Sequence, residues 1–136
     1  MTKKLLVIAN WKMNPDSPGR AVRLAKEVEK GLRGVKNVSV VIAPPYPFLE
    51  SVGEALKRAE LGAQNLFWED VGPYTGEVSW HQLKHLRITY VIIGHSERRT
   101  YFGETDEMIN KKVRAALKAG LVPVLAVGER KRMPNK

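Results

Sequence analysis

Short apolar runs alternate along the chain with longer stretches in which apolar residues recur every three or four positions. Most of the short runs are continuously apolar, which is typical of strands buried on both faces of a parallel sheet. The predicted strands cover residues 5–11, 38–43, 60–63, 90–93 and 122–127. Their alternation with helices indicates an α/β protein, and the pattern by itself leaves a doubly wound sheet and a barrel equally open.

The periodic stretches predict amphipathic helices with recognisable starts and ends. The first begins at Ser17 as N-cap with Pro18 at the first helical position, and it stops before Gly34. The longest of the others begins at Thr105 and ends at Gly120. The positions expected to be buried on the helices are Val22, Ala25, Val28, Leu32, Phe48, Leu49, Val52, Leu56, Leu83, Leu86, Ile109, Val113 and Leu117.

Composition narrows the class of protein. The 136 residues are 43% hydrophobic and 27% charged, which predicts one globular domain over residues 1–136. No apolar run approaches the length of a membrane span, and there is no cysteine to form disulfides or thiolate metal sites. We therefore expect a cytoplasmic protein with no membrane partner.

The formal net charge of +9 raises the question of a nucleic-acid partner. The cations lie on predicted polar faces of separate helices and alternate with acids, and no basic strand carries interleaved aromatic residues. We therefore expect no nucleic-acid partner. The cations in question are Lys26, Lys30, Arg33, Lys36, Lys111, Lys112, Arg114 and Lys118, and the acids are Glu27, Glu29 and Asp106.

The stretch from Tyr90 to Arg99 carries the clearest chemical signal. An apolar strand passes through Gly94 into His95, followed by Ser96 as the predicted helix cap. A helix N-terminus carries partial positive charge, which favours a neutral imidazole that can polarise a carbonyl group. A histidine considered by itself is more often a structural residue on a turn.

A second candidate lies at the end of the first strand. Side chains alternate along a strand, so Asn10 and Lys12 are predicted to share one face and Trp11 the other. Together with His95, a lysine and an asparagine suit an anionic substrate that bears a carbonyl group. A lysine at a strand end is otherwise most often a solvated charge at the rim.

Metal and cofactor sites are not indicated. His81 and His85 have the spacing of a metal-binding pair, but no third ligand is evident. The sequence contains neither a Walker loop nor a glycine-rich dinucleotide fingerprint. We predict that the protein uses no cofactor and no metal.

Six segments together resemble the triosephosphate isomerase family, in its order and spacing and over nearly the whole chain. The segments are residues 9–14, 43–47, 62–65, 74–79, 90–99 and 127–129. The resemblance implies a (β/α)8 TIM barrel, of which this chain would form an N-terminal part of about five parallel strands. A complete barrel of this kind needs ~250 residues.

The resemblance also implies a function. It implies an enzyme of glycolysis and gluconeogenesis that interconverts dihydroxyacetone phosphate and D-glyceraldehyde 3-phosphate through an enediolate. His95 would be the electrophile, Lys12 would supply positive charge, Asn10 would donate hydrogen bonds to the substrate, and Glu97 would orient Lys12. The catalytic base, the closing loop and the phosphate-binding turns belong to the later half of family members, so the chain is expected to be inactive without a complementing C-terminal half.

Two further features bear on the resemblance. The resemblance implies a homodimer in which the long loop at 67–77 braces the active site of the neighbouring subunit, with Thr75 near the loop tip. Ala126 stands where the family usually has cysteine, a packing position whose change leaves the chemistry intact. Two alternatives to an isomerase half stay open: a non-catalytic half-barrel that serves folding or assembly, and a small phosphate-binding α/β protein.

Overall fold

A parallel sheet of five strands organises the fold, with the strands side by side in chain order. The structure is a computed structural model, and it describes residues 4–128. The strands are β1 (Leu5–Asn10), β2 (Val38–Ala43), β3 (Glu60–Ala63), β4 (Tyr90–Ile93) and β5 (Val122–Leu125). They form a curled half-barrel, so the sequential order decides for the barrel type and against the doubly wound alternative.

Helices connect the strands and cover the outer face of the sheet. They are α1 (Pro18–Gly31), α2 (Leu49–Ala55), α3 (Trp80–His85), α4 (Ser96–Tyr101) and α5 (Asp106–Lys118), with a short 3₁₀ turn at Tyr46–Phe48. The main core includes Ile42, Leu49, Val91, Ile93 and Ile109, which are buried and packed in one cluster. No helix within the described range 4–128 is long and apolar enough to cross a membrane.

The two outer strands differ from the prediction of strands buried on both faces. Leu5, Leu6 and Val7 of β1 are exposed by 62%, 49% and 51%, whereas Val91 and Ile93 of β4 are fully buried. β1 and β5 are more exposed because each pairs with a described strand on one side only, which makes them the two open edges of a partial barrel. β1 and β5 also end before the predicted positions 11 and 127, at Asn10 and Leu125.

The predicted buried faces of two helices also differ from those in the structure. On α1 the buried positions are Ala21, Ala25 and Glu29, while the predicted residues Val22, Val28 and Leu32 are only half-buried. On α5 the predicted core residue Leu117 is 60% exposed, and Lys112, assigned to the polar face, is buried. Both buried charged residues make specific hydrogen bonds, which offsets the cost of their desolvation.

The segment 67–77 forms a closed loop that projects from the sheet. The backbone N–H of Phe67 donates to the Val78 carbonyl at 2.8 Å and closes its base. The indole N–H of Trp80 donates to Asp70 at 2.5 Å. Residues 71–77 are exposed, and they include Thr75. The loop is therefore tied at its base and presents its tip to the surroundings.

Candidate active site

The carboxyl ends of β1, β3 and β4 bring the candidate residues together, as expected for parallel strands of one sheet. Gly94 turns the chain from β4 into α4 with φ 73°, a conformation that favours glycine. A Cβ at this position would lie 3.0 Å from Arg99 Nη2 and 3.2 Å from Ile109 Cδ1. Both the positive φ and the lack of room for a Cβ favour glycine at this turn. The turn places His95 at the start of α4.

His95 itself is the N-cap of α4, which corrects the prediction that Ser96 caps the helix. Its Nδ1 accepts a hydrogen bond from the backbone N–H of Glu97 at 3.2 Å. An accepting Nδ1 carries no proton, so this bond favours a neutral imidazole protonated at Nε2. The Glu97 carboxylate lies 3.5 Å from the same nitrogen, longer than an ordinary hydrogen bond. His95 is therefore prepared to donate from Nε2.

Lys12 and Glu97 form a close ion pair. Lys12 Nζ lies 2.5 Å from Glu97 Oε1, and the two side chains are 52% and 40% exposed. The hydrogen bond from Lys12 is the main cause that lowers the pKa of Glu97 below its ordinary value. Glu97 thus contacts Lys12 through its carboxylate and His95 through its backbone, and it fixes the two relative to each other.

The backbone at Lys12 is left-handed, with φ 55°, so strand alternation does not place this side chain. The prediction that Asn10 and Lys12 share one strand face was wrong in its reasoning, since β1 ends at Asn10. The two residues still come together, because the Lys12 N–H donates to Asn10 Oδ1 at 2.9 Å in a tight turn. Asn10 therefore shapes the turn that presents Lys12.

Gln64 completes this turn, and sequence reasoning gave it no role. Its Nε2 donates to the Lys12 carbonyl at 2.8 Å and to the Ala43 carbonyl at 2.9 Å. The side chain thereby joins the ends of β1, β2 and β3. A polar residue directly after the short buried strand β3 was the signal in the sequence, since such positions collect at one edge of a parallel sheet.

A buried polar cluster lies beneath the site, and the sequence analysis missed it as well. Lys112 Nζ donates to Asn65 Oδ1 and to Glu104 Oε2, each at 2.8 Å, and Arg98 Nε donates to the same Glu104 oxygen at 2.7 Å. Tyr46 adds a hydrogen bond to the Asn65 carbonyl at 2.5 Å. The cluster ties the residue after Gln64 to α4 and α5.

Glu104 is the centre of this cluster. Burial raises the pKa of the Glu104 carboxyl, but hydrogen bonds from Lys112 and Arg98 outweigh burial and hold that pKa below its ordinary value. Its second oxygen, Oε1, is buried and accepts no hydrogen bond from any described residue. The position of Lys112, three residues after Ile109 on the apolar stripe of α5, was the available signal for a buried lysine.

An open cleft of about 980 Å³ lies beside His95. Its lining includes Gly94, His95, Arg99, Ala126 and Val127. The backbone N–H of Ala126 donates to the Ile93 carbonyl at 2.9 Å, which extends the β4–β5 pairing to the rim of the cleft. Glu129, part of the last motif in the sequence, lies outside the described residues.

The chemistry available to these groups is electrostatic. A neutral imidazole with a donor nitrogen and a nearby ammonium group can stabilise negative charge that develops on a substrate oxygen. Within residues 4–128, no three histidine, aspartate or glutamate side chains come together in a way that could hold a metal ion.

Comparison of the sequence with known proteins identifies the family that it resembles. The sequence model of the family described as triosephosphate isomerase matches residues 5–136. Triosephosphate isomerase of Thermoanaerobacter pseudethanolicus is 46% identical over 129 residues, which are 93% of this chain and 51% of that protein. The enzyme of Acetivibrio thermocellus is 48% identical over 131 residues, which are 95% of this chain and 51% of that protein.

Comparison of structures gives the same result. The crystal structure of triosephosphate isomerase from Bartonella henselae superimposes with a TM-score of 0.85 at 37% sequence identity. The match covers 93% of this chain and 52% of that one. The chain spans about half the length of the curated relatives it matches.

Proposed function

Because the chain belongs to the triosephosphate isomerase family, we propose that it supplies the electrophilic half of an isomerase active site. The reaction interconverts dihydroxyacetone phosphate and D-glyceraldehyde 3-phosphate by proton transfer through an enediolate. A neutral histidine that works with a carboxylate base is the established arrangement for this family of enzymes rather than a new deduction from this chain.

Three residues of the chain take part in this proposal. His95 donates from Nε2 to the oxygen that becomes negative as the enediolate forms. Lys12 supplies positive charge to both the phosphorylated substrate and the transition state. Asn10 fixes the Lys12 turn through Oδ1, and its amide group donates to the substrate.

Proton abstraction needs a further group. Glu97 is engaged by Lys12 and lies behind the lysine as its orienting partner. The base and the turns that bind phosphate would come from the part of the family proteins that the match does not cover. We therefore propose a complementing C-terminal half as the partner that completes the site.

The strongest support for the proposal is that Glu97 contacts both Lys12 and His95. Glu97 holds Lys12 through its carboxylate at 2.5 Å and holds His95 Nδ1 through its backbone N–H at 3.2 Å. A solvated rim lysine or a structural histidine requires neither contact. A shared partner for both is what a preorganised electrostatic site needs.

Complementation tests the proposal. The chain is mixed with the part of the Thermoanaerobacter pseudethanolicus enzyme that it does not match, and isomerisation is followed in a coupled assay. We expect no appreciable turnover from either piece alone, since a missing base costs roughly 10²–10⁴-fold. We expect turnover from the mixture, and its loss when His95→Gln replaces the native chain. A mixture that forms a stable complex and stays inactive would contradict the proposal.

The second candidate, a non-catalytic assembly module, rests on the exposed apolar residues of β1 and β5, which include Leu6 and Val122. The same mixture separates the two candidates. An assembly module would form the complex without turnover. Turnover that depends on His95 would show that the chain does more than assemble.

We further propose that the completed protein is a cytoplasmic homodimer, with loop 67–77 at the interface. Support comes from the resemblance and from the exposed tip of the loop, which includes Thr75. Light scattering on the reconstituted protein tests this proposal. Thr75→Arg should shift the dimer toward monomer, and Glu27→Arg on the exposed face of α1 serves as control. Equal dimer content in both variants would contradict the assignment.

A further inference from the structure

A second cleft, of about 380 Å³, lies at the opposite end of the sheet from the candidate active site. It runs between the last turns of α1 and the loop that leads from α2 into β3. We name it the basic groove after its five cations. They are Lys26, Lys30, Arg33, Lys57 and Arg58, and all five are exposed.

The floor of the basic groove is fixed by a buried carboxylate. Glu29 of α1 is 8% exposed, and it accepts hydrogen bonds from the backbone N–H groups of Arg58 at 2.9 Å and Ala59 at 2.8 Å. These bonds hold the loop against α1. They place Lys57 and Arg58 on one side of the groove and the lysines of α1 on the other, so the cationic surface is built by a specific contact.

The positive charge of the basic groove is only partly neutralised by neighbouring groups. None of its five cations forms an ion pair with another residue in the part of the chain that the structure describes. With Glu29 and Glu54 counted, the lining has three net positive charges. The carboxyl ends of α1 and α2 also meet this region, and each offsets about half a charge. Roughly two positive charges stay uncompensated.

We propose that the basic groove binds a small anion that carries two or more phosphate groups. Lysine binds phosphate as a point charge, and arginine binds it with paired N–H donors. Cations on both walls favour a ligand with several phosphates over a single phosphate, which can reach only one wall well. The volume falls within the range of small-molecule sites. The groove shares no residue with the candidate active site, so the proposal is independent of the isomerase function.

Calorimetric titration with tripolyphosphate tests the proposal, with inorganic phosphate as the simpler probe. All proteins in this test carry Leu6→Lys, on β1 and outside the groove lining, to limit association through the exposed strand edges. Measurements at about 20 mM and about 150 mM salt separate screened from unscreened binding. The groove variant carries Lys30→Gln and Arg58→Gln. A matched control carries Arg114→Gln and Lys118→Gln, which remove the same charge from the exposed face of α5.

We expect saturable one-to-one binding at the lower salt, weakened at least about tenfold in the groove variant and less than about twofold in the control. Inorganic phosphate should bind at least about tenfold more weakly than tripolyphosphate. Nitrogen–proton NMR spectra of the chain with Leu6→Lys and an otherwise native sequence should show shifts at the Arg58 and Ala59 amides. Absence of saturable binding, equal losses in both variants, equal affinity for the two probes, or shifts confined to other residues would each overturn the proposal.

Discussion

The side-chain amide of Gln64 donates to the Lys12 carbonyl at 2.8 Å, while Lys12 adopts a left-handed backbone conformation at φ 55°. That conformation costs a non-glycine residue roughly 1–2 kcal/mol, so neighbouring contacts have to hold it. Asn10 supplies one such contact from the strand end, and Gln64 supplies the other from across the sheet. Lys12 pairs with Glu97 from this turn, and we therefore expect Gln64 to act as a positioning residue.

Gln64→Ala should lower turnover of the complemented enzyme without removing any group that contacts substrate. It also removes two hydrogen bonds, which should cost about 1–3 kcal/mol of stability. Thr105→Ala is the matched control, because it removes the N-cap bond to the Met108 N–H and costs about 1 kcal/mol. Steady-state kinetics and urea unfolding on both variants check the point. Equal turnover in the two variants would show that Gln64 acts on stability alone.

His95→Gln and Lys12→Ala should both reduce kcat/KM of the complemented enzyme, in different ways. His95→Gln should lower kcat by roughly 10²–10³-fold, because it removes a donor that acts on transition-state charge. Lys12→Ala should raise KM as well as lower kcat, because its charge acts on the bound substrate and the transition state alike. His85→Gln, on the far end of α3, serves as control. Unchanged kinetics in either test variant would remove that residue from the site.

The pKa of Glu97 provides a test that needs no activity. The Lys12 hydrogen bond lowers this pKa, so Lys12→Ala should let it rise toward its ordinary value. Carbon NMR of the glutamate carboxyl groups during a pH titration measures the change directly. The carboxyl carbon of Glu107, in the exposed first turn of α5, should have the same chemical shift in both proteins at about pH 7. If the pKa of Glu97 is the same in the native chain and in Lys12→Ala, the ion pair does not form in solution.

Glu104 should make stability depend on acid pH. Its folded-state pKa lies below the unfolded value, so its contribution is present above the unfolded pKa and is lost as the pH falls through the folded pKa. At about pH 7, Glu104→Gln should cost about 3–5 kcal/mol, because Lys112 and Arg98 lose their buried counter-charge. The difference from the native chain should shrink in acid. Urea unfolding across this pH range checks the prediction.

Glu107→Gln is the control for that titration, since the residue is exposed. It should leave the stability within about 0.5 kcal/mol of the native value at every pH. A Glu104→Gln variant that loses the same free energy at neutral and acid pH would show that the cluster acts through packing rather than through charge.

The isolated chain should self-associate at micromolar concentration, because exposed apolar residues on β1 and β5 adjoin strand edges with no described partner. Leu6→Lys should reduce the association seen by light scattering. Leu117→Lys changes a leucine on α5 that is somewhat more exposed than Leu6, and it should have little effect. A native chain that stays monomeric with strong amide protection in β1 and β5 would contradict this prediction.

Hydrophobic patterning predicted most of the fold, and local chemistry explains where it failed. β2, β3 and β4 have the predicted bounds, and the N-cap at Thr105 is confirmed with its hydrogen bond to Met108. Patterning by itself does not show which strands lie at the sheet edges, but the resemblance to part of a barrel implies that β1 and β5 are the open edges, and their exposure agrees with it. Glu29 and Lys112 were misplaced because charged residues are buried only when distant partners meet them.

The sequence predicted which side chains of the candidate site lie close together but not how the backbone holds them, and the roles of these residues stay a prediction. His95, Lys12 and Glu97 come together as the resemblance implied. The resemblance did not indicate that His95 caps its own helix, or that Gln64 holds the turn at Lys12. Both depend on a backbone conformation at one residue, and such conformations are set by contacts between segments far apart in the sequence.

The order of the strands has a consequence for how the chain acquires its structure. Within residues 4–128, every strand pairs only with its neighbours in the sequence. Pairing of this kind keeps loop closures short, and it lets a chain leaving the ribosome add one strand–helix unit at a time. Growth then proceeds from β1 in a single direction, each finished unit serving as the template for the next. Synthesis and folding can advance in step.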